Sequence, residues 1–248
     1  MAGYLFTYNQ EIGHQGQSLV PHFPGGASGV TIGPGYDMKY REPDEIYRDL
    51  TGIGVAPEMA YALAGAAHLS GEEAGDWVSH AGGIYLTEEQ QQELFVRILV
   101  PQYEDRLRQQ LYRFAASEGI PQDEVAWDGL SDRQKEALFD FVYNTGSIER
   151  FPELARAVIL EDWDTASQHY ERFSGGEPLE YRNQMFFREF LDTSYTHEPQ
   201  EWASGTVQEN ETGSEFADLY LSSIADDQER GEPDADGEFT DDWYDSPA

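Results

Sequence analysis

One short segment limits the fold more than any other: the β-branched triplet Val30-Thr31-Ile32 runs straight into Gly33-Pro34-Gly35. Branching at Cβ favours a pleated backbone, and the glycines and proline that follow reverse it tightly, so the segment predicts a strand entering a hairpin. No other stretch gives a clear hairpin signal. From about residue 43 to 192 the apolar residues recur at helical spacing instead. The chain therefore reads as α+β, mostly helical, with one small β-hairpin lobe.

The helical reading rests on local signals. Residues 4–12 suit a short helix with Leu5, Phe6 and Ile12 as its apolar positions, Glu11 at its end and Gly13 as a stop. His14 to Ser28, with Pro21, Pro24 and Gly25-Gly26, reads as loop. Three helix starts carry the spacing of a capping box: Ser70 with Glu73, Thr87 with Gln90, and Ser131 with Gln134. After Thr87 the apolar pairs Leu94/Phe95 and Ile98/Leu99 run to Pro101, beyond which Tyr103, Leu107, Leu111 and Phe114 predict a bent or restarted helix. After Ser131, Leu138, Phe141 and Val142 form a stripe ending near Gly146, and further helices fit 152–160, 162–173 and 179–191. No internal repeat is present. These elements assign residues 1–195 to one domain. From residue 196 Glu, Asp, Gly, Ser and Thr dominate, which predicts an acidic, solvated tail over 196–248. Phe216, Leu219, Tyr220 and Ile224 offer a turn or two of amphipathic helix within it.

Charge narrows the function. Of 248 residues, 48 are acidic and 15 basic, a net charge of −33. Residues 201–248 hold 15 acids against Arg230, net −14, which leaves −19 on residues 1–200. Neither a phosphate-tracking groove nor a basic membrane-binding patch can be built from this composition, so nucleic acid and anionic membranes are excluded as partners. An acid-rich surface with only Lys39 and Lys135 as lysines suits a saline environment, where the Debye length falls to about 3 Å at 1 M salt. There is no cysteine, so disulfides, thiolate nucleophiles and cysteine-ligated metals are excluded. The start of the chain does not read as a signal peptide and no apolar run is long enough for a membrane span.

The segment from Glu11 to Asp37 carries the candidate chemistry. Two carboxylates flank a glycine-rich loop that holds no other acid. On a strand Val30 and Ile32 share one face, which sends the Thr31 hydroxyl to the other. An acid at a helix end, a second carboxylate and a hydroxyl are what glycoside hydrolysis requires: one acid protonates the leaving oxygen and the other acts on the anomeric carbon or on an attacking water. Plainer roles exist for each. Glu11 suits a solvated helix end, Thr31 a strand former, Asp37 an Asx turn or helix cap, with Glu42, Asp44 and Glu45 as its rivals, and Tyr143-Asn144 a helix terminus. Glu232 to Glu238 has the start of a calcium loop, but Trp243 stands where the bidentate Glu belongs. Gly33 to Met38 lacks the third glycine of a dinucleotide fingerprint, and the six histidines show no metal-ligand spacing, so no metal and no cofactor is expected.

Ser28-Gly29 followed by Thr31-Ile32-Gly33-Pro34-Gly35-Tyr36-Asp37 resembles the hairpin of phage-type lysozymes, and within them the pesticin-like muramidase domains of bacteriocins, effectors and endolysins. Ala137-Leu138-Phe139 with Phe141 and Tyr143-Asn144-Thr145-Gly146 is similar to the central helix of that superfamily, whose Tyr-Asn-x-Gly turn lines the sugar cleft, and Phe151, Trp163, Ala166 and Phe173 match later helices in spacing. The resemblance spans roughly residues 1–195. It implies a lysozyme-like fold and an antimicrobial glycosidase that cleaves peptidoglycan β-1,4 bonds with inversion. By the same resemblance Glu11 is the general acid, Thr31 the hydroxyl that helps place water and Asp37 the second carboxylate. Tyr36, Tyr143 and Asn144 contact the glycan, and Arg182 is the late arginine that pairs with the catalytic Glu. Tyr181 and Asn183 flank that single arginine where the family has Arg-Arg-x-x-Glu. The implied partners are peptidoglycan strands, with room for a delivery apparatus or an immunity protein, and the implied state is a monomer. Synthesis in the cytoplasm would precede release or delivery to the cell wall or periplasm. A chitin- or chitosan-degrading relative, and a glycan-binding module without turnover, are the alternatives.

Overall fold

The computed structural model describes residues 4–12 and 17–192. The chain divides into two units, Met1–Thr196 and His197–Ala248, and all described residues belong to the first. The acidic tail expected from residue 196, the stop at Gly13 and the calcium-loop-like stretch lie outside the described residues.

Helix α1 spans Leu5–Glu11. It has no side-chain cap of its own; Glu136 reaches across to accept the Phe6 N–H at 3.3 Å. Strands β1, Thr31–Ile32, and β2, Tyr36–Asp37, form the expected antiparallel hairpin, with Thr31 opposite Asp37 and Ile32 opposite Tyr36. Its turn needs glycine twice over. Gly33 and Gly35 both have positive φ, and a Cβ on Gly33 would sit 2.7 Å from a Leu94 methyl. His22 pairs through its backbone with Thr31 on the far side, with both N···O distances at 2.9 Å.

Helices α2 (Pro43–Gly52), α3 (Pro57–Ala64) and α4 (Gly71–His80) follow. Two of the three capping boxes form as expected, at Thr87 and Ser131. The third does not. Ser70 is at the N-cap, but its backbone pairs with Gly29 and its side chain makes no cap hydrogen bond. Helix α5, Glu88–Leu94, passes through a π-helical turn, Phe95–Leu99, into α6, Val100–Glu118. The widened turn lies just ahead of Pro101, which brings no donor and whose ring would crowd the carbonyl four residues back.

Helix α7, Asp132–Thr145, runs through the core of the described unit. From Ala137 to Tyr143 every side chain is buried, as in a helix apolar all round, except that Asp140 interrupts the run. Two aromatic groups pack against it. Tyr4 stacks on Phe139 at 3.9 Å and Tyr103 lies 4.2 Å from Tyr143 on one side, while Phe141 meets Phe151 at 4.9 Å and Phe186 at 5.1 Å on the other. Such edge and offset contacts add about 0.5–1.5 kcal/mol each beyond area burial.

Helix α8 spans Pro152–Ile159, but the helix expected over 162–173 ends early, as α9, Trp163–Ala166. The chain must leave the helix for Arg172 to enter the core. A second antiparallel pair then follows that the sequence did not signal, β3 (Phe173–Ser174) with β4 (Glu177–Pro178), turning on Gly175 and Gly176 with positive φ. Helix α10, Glu180–Phe186, closes the described chain and runs into a π-helical turn, Phe187–Leu191. Among the described residues no helix is long and apolar enough to cross a membrane. Across the described residues the fold is mostly helical with two small strand pairs.

Candidate functional site

Helix α1 is too short to be stable alone, so its position comes from what it touches. Glu11 ends it, and Thr7 lies one turn earlier on the same face. The Thr7 hydroxyl donates to Asp140 Oδ1 at 3.1 Å, and Glu11 Oε1 accepts from Arg182 Nη1 at 2.6 Å. Arg182, on α10, spends its other terminal nitrogen on Asp140 Oδ1, also at 2.6 Å. Arg172 Nη1 faces Asp140 Oδ2 at 2.7 Å. Two guanidiniums and two carboxylates thus close a neutral quartet. Asp140 and Arg172 are 0% and 1% exposed, Arg182 12% and Glu11 22%, so the quartet runs from the core out to a carboxylate that solvent can reach.

Burial taxes every charge in this group, and the pairing decides which survive. Burial alone would raise the Asp140 carboxyl, but the Arg182 and Arg172 guanidiniums outweigh it and hold that carboxyl below its ordinary value. Burial lowers Arg172 to about 10 despite Asp140. Arg182 goes the other way: burial would lower it, and Asp140 and Glu11 together raise it above its ordinary value. Arg172 is further held by stacking on Phe141 at 3.9 Å, and its backbone exchanges two hydrogen bonds of 3.0 Å with the Asn183 side chain. Its Nη1 also donates to Asn144 Oδ1 at 3.4 Å.

The hairpin meets this group through α7. The Tyr143 hydroxyl, three residues on from Asp140, donates to the Pro34 carbonyl in the hairpin turn, and a Cβ on Gly35 would lie 3.3 Å from it. Burial first, and then the negative charge of Glu11, push the Tyr143 phenol well up. Glu11, Arg182 and the turn therefore converge on one buried phenol.

The sequence-predicted residues fall into two sets. Glu11 and Arg182 are in direct contact, and Asn144 is half-buried beside them through Arg172. The hairpin residues are more enclosed than a cleft-facing strand implies. Thr31 is buried between His22 and β2. Asp37 accepts the Lys39 N–H at 2.8 Å and the Gly29 N–H at 3.3 Å, the Asx-turn role, which leaves each oxygen a second lone pair. Tyr36 is fully buried: its hydroxyl donates to Asp49 at 2.8 Å and Arg41 stacks on its ring at 4.0 Å, so it braces the hairpin and has no surface to offer a glycan. Tyr143 too is buried and its hydroxyl engaged.

Sequence reasoning missed Thr7, Asp140 and Arg172. Asp140 alone left a trace, as a carboxylate inside the apolar run Ala137-Leu138-Phe139-Asp140-Phe141-Val142, where an acid needs a partner to be tolerated.

The fold and this site define a mostly helical α+β domain that suspends one reachable carboxylate from a buried ion-pair quartet. The chain belongs to the family described as Domain of unknown function (DUF8812), whose model matches residues 4–163. That stretch includes Glu11, Thr31, Asp37 and Asp140; Arg172 and Arg182 follow it. No curated protein matches the chain.

Proposed function

We propose that this protein is a muramidase with a lysozyme-like fold, hydrolysing the β-1,4 bonds of peptidoglycan after release or delivery to the wall. The observation that carries the reading is Glu11: an acid at the end of a short helix, reachable by solvent and held by Arg182 at 2.6 Å beside a hairpin turn. In this reading Glu11 takes up a proton from solvent and gives it to the glycosidic oxygen as the bond to the anomeric carbon breaks. Asp37, with Thr31, would orient and deprotonate a water for attack on the opposite face, giving inversion. Thr31 is buried while Asp37 is half-buried, so glycan binding must open a path between the Thr31 hydroxyl and solvent. Asn144, its oxygen taken by Arg172, has its amide hydrogens left to donate to a sugar acceptor.

The test is Glu11→Gln, assayed by mass spectrometry of fragments released from purified walls. General acid catalysis contributes about 10²- to 10⁴-fold, so release should fall by that factor in a folded variant. Wild-type release by the variant would remove Glu11 from the mechanism. Purified chitin and chitosan, assayed in parallel, identify the polymer.

A further inference from the structure

We propose that Asp140 is the positioning residue for Glu11, setting where its carboxylate sits by holding both the helix that carries it and the arginine that pairs with it. This rests on the reading of Glu11 as the reacting acid. Asp140 has no exposed surface, so it cannot itself touch a glycan.

Its Oδ1 takes two bonds that both lead to α1. One comes from the Thr7 hydroxyl at 3.1 Å, within the helix; the other comes from Arg182 Nη2 at 2.6 Å, whose Nη1 holds Glu11 at 2.6 Å. Thr7 and Glu11 are one helical turn apart, so the path Asp140, Thr7, Glu11, Arg182, Asp140 is a closed ring. Turning α1 about its axis, or swinging the planar guanidinium, breaks the ring at Asp140. The remaining oxygen, Oδ2, faces Arg172 at 2.7 Å. Arg172 supplies the second positive charge that makes the quartet neutral, and it is fixed in turn by Asn183 and Phe141. A carboxylate needed only to neutralise Arg172 would not have to bond Thr7 and Arg182 as well.

Removing Asp140 alone would leave two buried guanidiniums facing one carboxylate, and the chain could fail to fold. The informative variant is therefore Asp140→Leu with Arg172→Met. It removes one charge of each sign and fills the space with apolar groups of similar volume, an exchange that is often neutral for stability. Steady-state kinetics on solubilised wall fragments should show kcat lowered roughly 10- to 100-fold, the range expected from misplacement on the order of 1 Å, with KM within about threefold of wild type. A second readout needs no turnover. In the wild type, with both terminal nitrogens bonded, ¹⁵N spectra should resolve the Arg182 guanidinium nitrogens, identified by their loss in Arg182→Lys; in the double variant they should average. Wild-type kcat in the folded double variant, a change confined to KM, or Arg182 signals that stay resolved would each overturn the proposal. A wild-type chain that releases no wall fragments overturns the muramidase reading instead, and the guanidinium signals then decide the tether by themselves.

Discussion

Glu136 offers a measurable consequence of how α1 is held. It lies on α7 one turn before Asp140 and accepts the Phe6 N–H at the start of α1. Burial pushes its carboxyl up from 4.5 to about 7; the bond from Phe6 opposes the shift, and the negative charges of Glu189 and Asp140 add to it. The folded chain therefore keeps a proton, between pH 4.5 and about 7, that the unfolded chain has released. Stability must fall as pH rises through that window, because the native state binds more protons than the unfolded one. The rise from 4.5 to about 7 corresponds to about 3 kcal/mol, fully lost above pH 7. Glu136→Gln keeps an oxygen to accept the Phe6 N–H and carries no charge. At pH 8 the variant should be the more stable by up to about 3 kcal/mol, a rise in Tm of roughly 6–12 °C for a domain of this size. At pH 4 the two should melt together. Thermal unfolding of both proteins by circular dichroism from pH 4 to 9 gives the difference curve, in which the other titrating groups cancel. A difference that does not change with pH, or a variant less stable at pH 8, would refute this account of Glu136.

Two further outcomes follow from other parts of the molecule. Gly29→Ala would put a Cβ 2.3 Å from Asp37 Oδ1 and 2.6 Å from the Lys39 Cβ, so it should displace the Asp37 carboxylate and lower stability by about 1–3 kcal/mol in urea denaturation; a neutral substitution would mean the strand can shift without cost. With −19 on residues 1–200 and −14 on the rest, self-repulsion and repulsion from an anionic wall should both relax as the Debye length shrinks from about 10 Å at 0.1 M salt to about 3 Å at 1 M, so Tm and wall release should rise together with salt, and deleting residues 201–248 should move that dependence to lower salt; highest activity at low salt would end the saline reading.

What the sequence made legible was local. The first hairpin follows from three β-branched residues and two glycines within seven positions, and the caps at Thr87 and Ser131 from partners three residues apart. Where a distant contact competes, the local signal fails. Ser70 has the capping spacing, yet its backbone is taken by Gly29; residues 167–173 can continue a helix, yet Arg172 is drawn into the core by Asp140. The second hairpin carries no β-branched residue, so nothing beside its two glycines read as strand. The same rule divides the site. Glu11 and Arg182 were singled out through a pattern resemblance, but Asp140, which joins them, is not one of the residues that carry the central-helix pattern around it, and its bonds to Thr7 and Arg182 span 133 and 42 residues.

At positions 172 and 182 the choice of arginine over lysine has a structural reason. A lysine at position 182 would bring one ammonium, which could sit against Glu11 or against Asp140. The guanidinium has two terminal nitrogens in a fixed plane, and it meets the two carboxylates at 2.6 Å each at once. Arg172 adds a second property of the same group: its weakly hydrated plane lies against two aromatic rings, 3.9 Å from the centre of Phe141 and 4.8 Å from that of Phe186, a setting that disfavours a strongly hydrated ammonium. With burial already lowering Arg172 to about 10, a lysine there would start from a lower ordinary value and meet the same desolvation, so its charge would be held less firmly beside the buried Asp140. Wherever that amine gave up its proton, the quartet would lose a positive charge at its buried end, and Arg182 would be left to balance both carboxylates. The reachable carboxylate at the end of α1 thus depends on a positive charge held at the opposite end of the quartet, in the core of the domain.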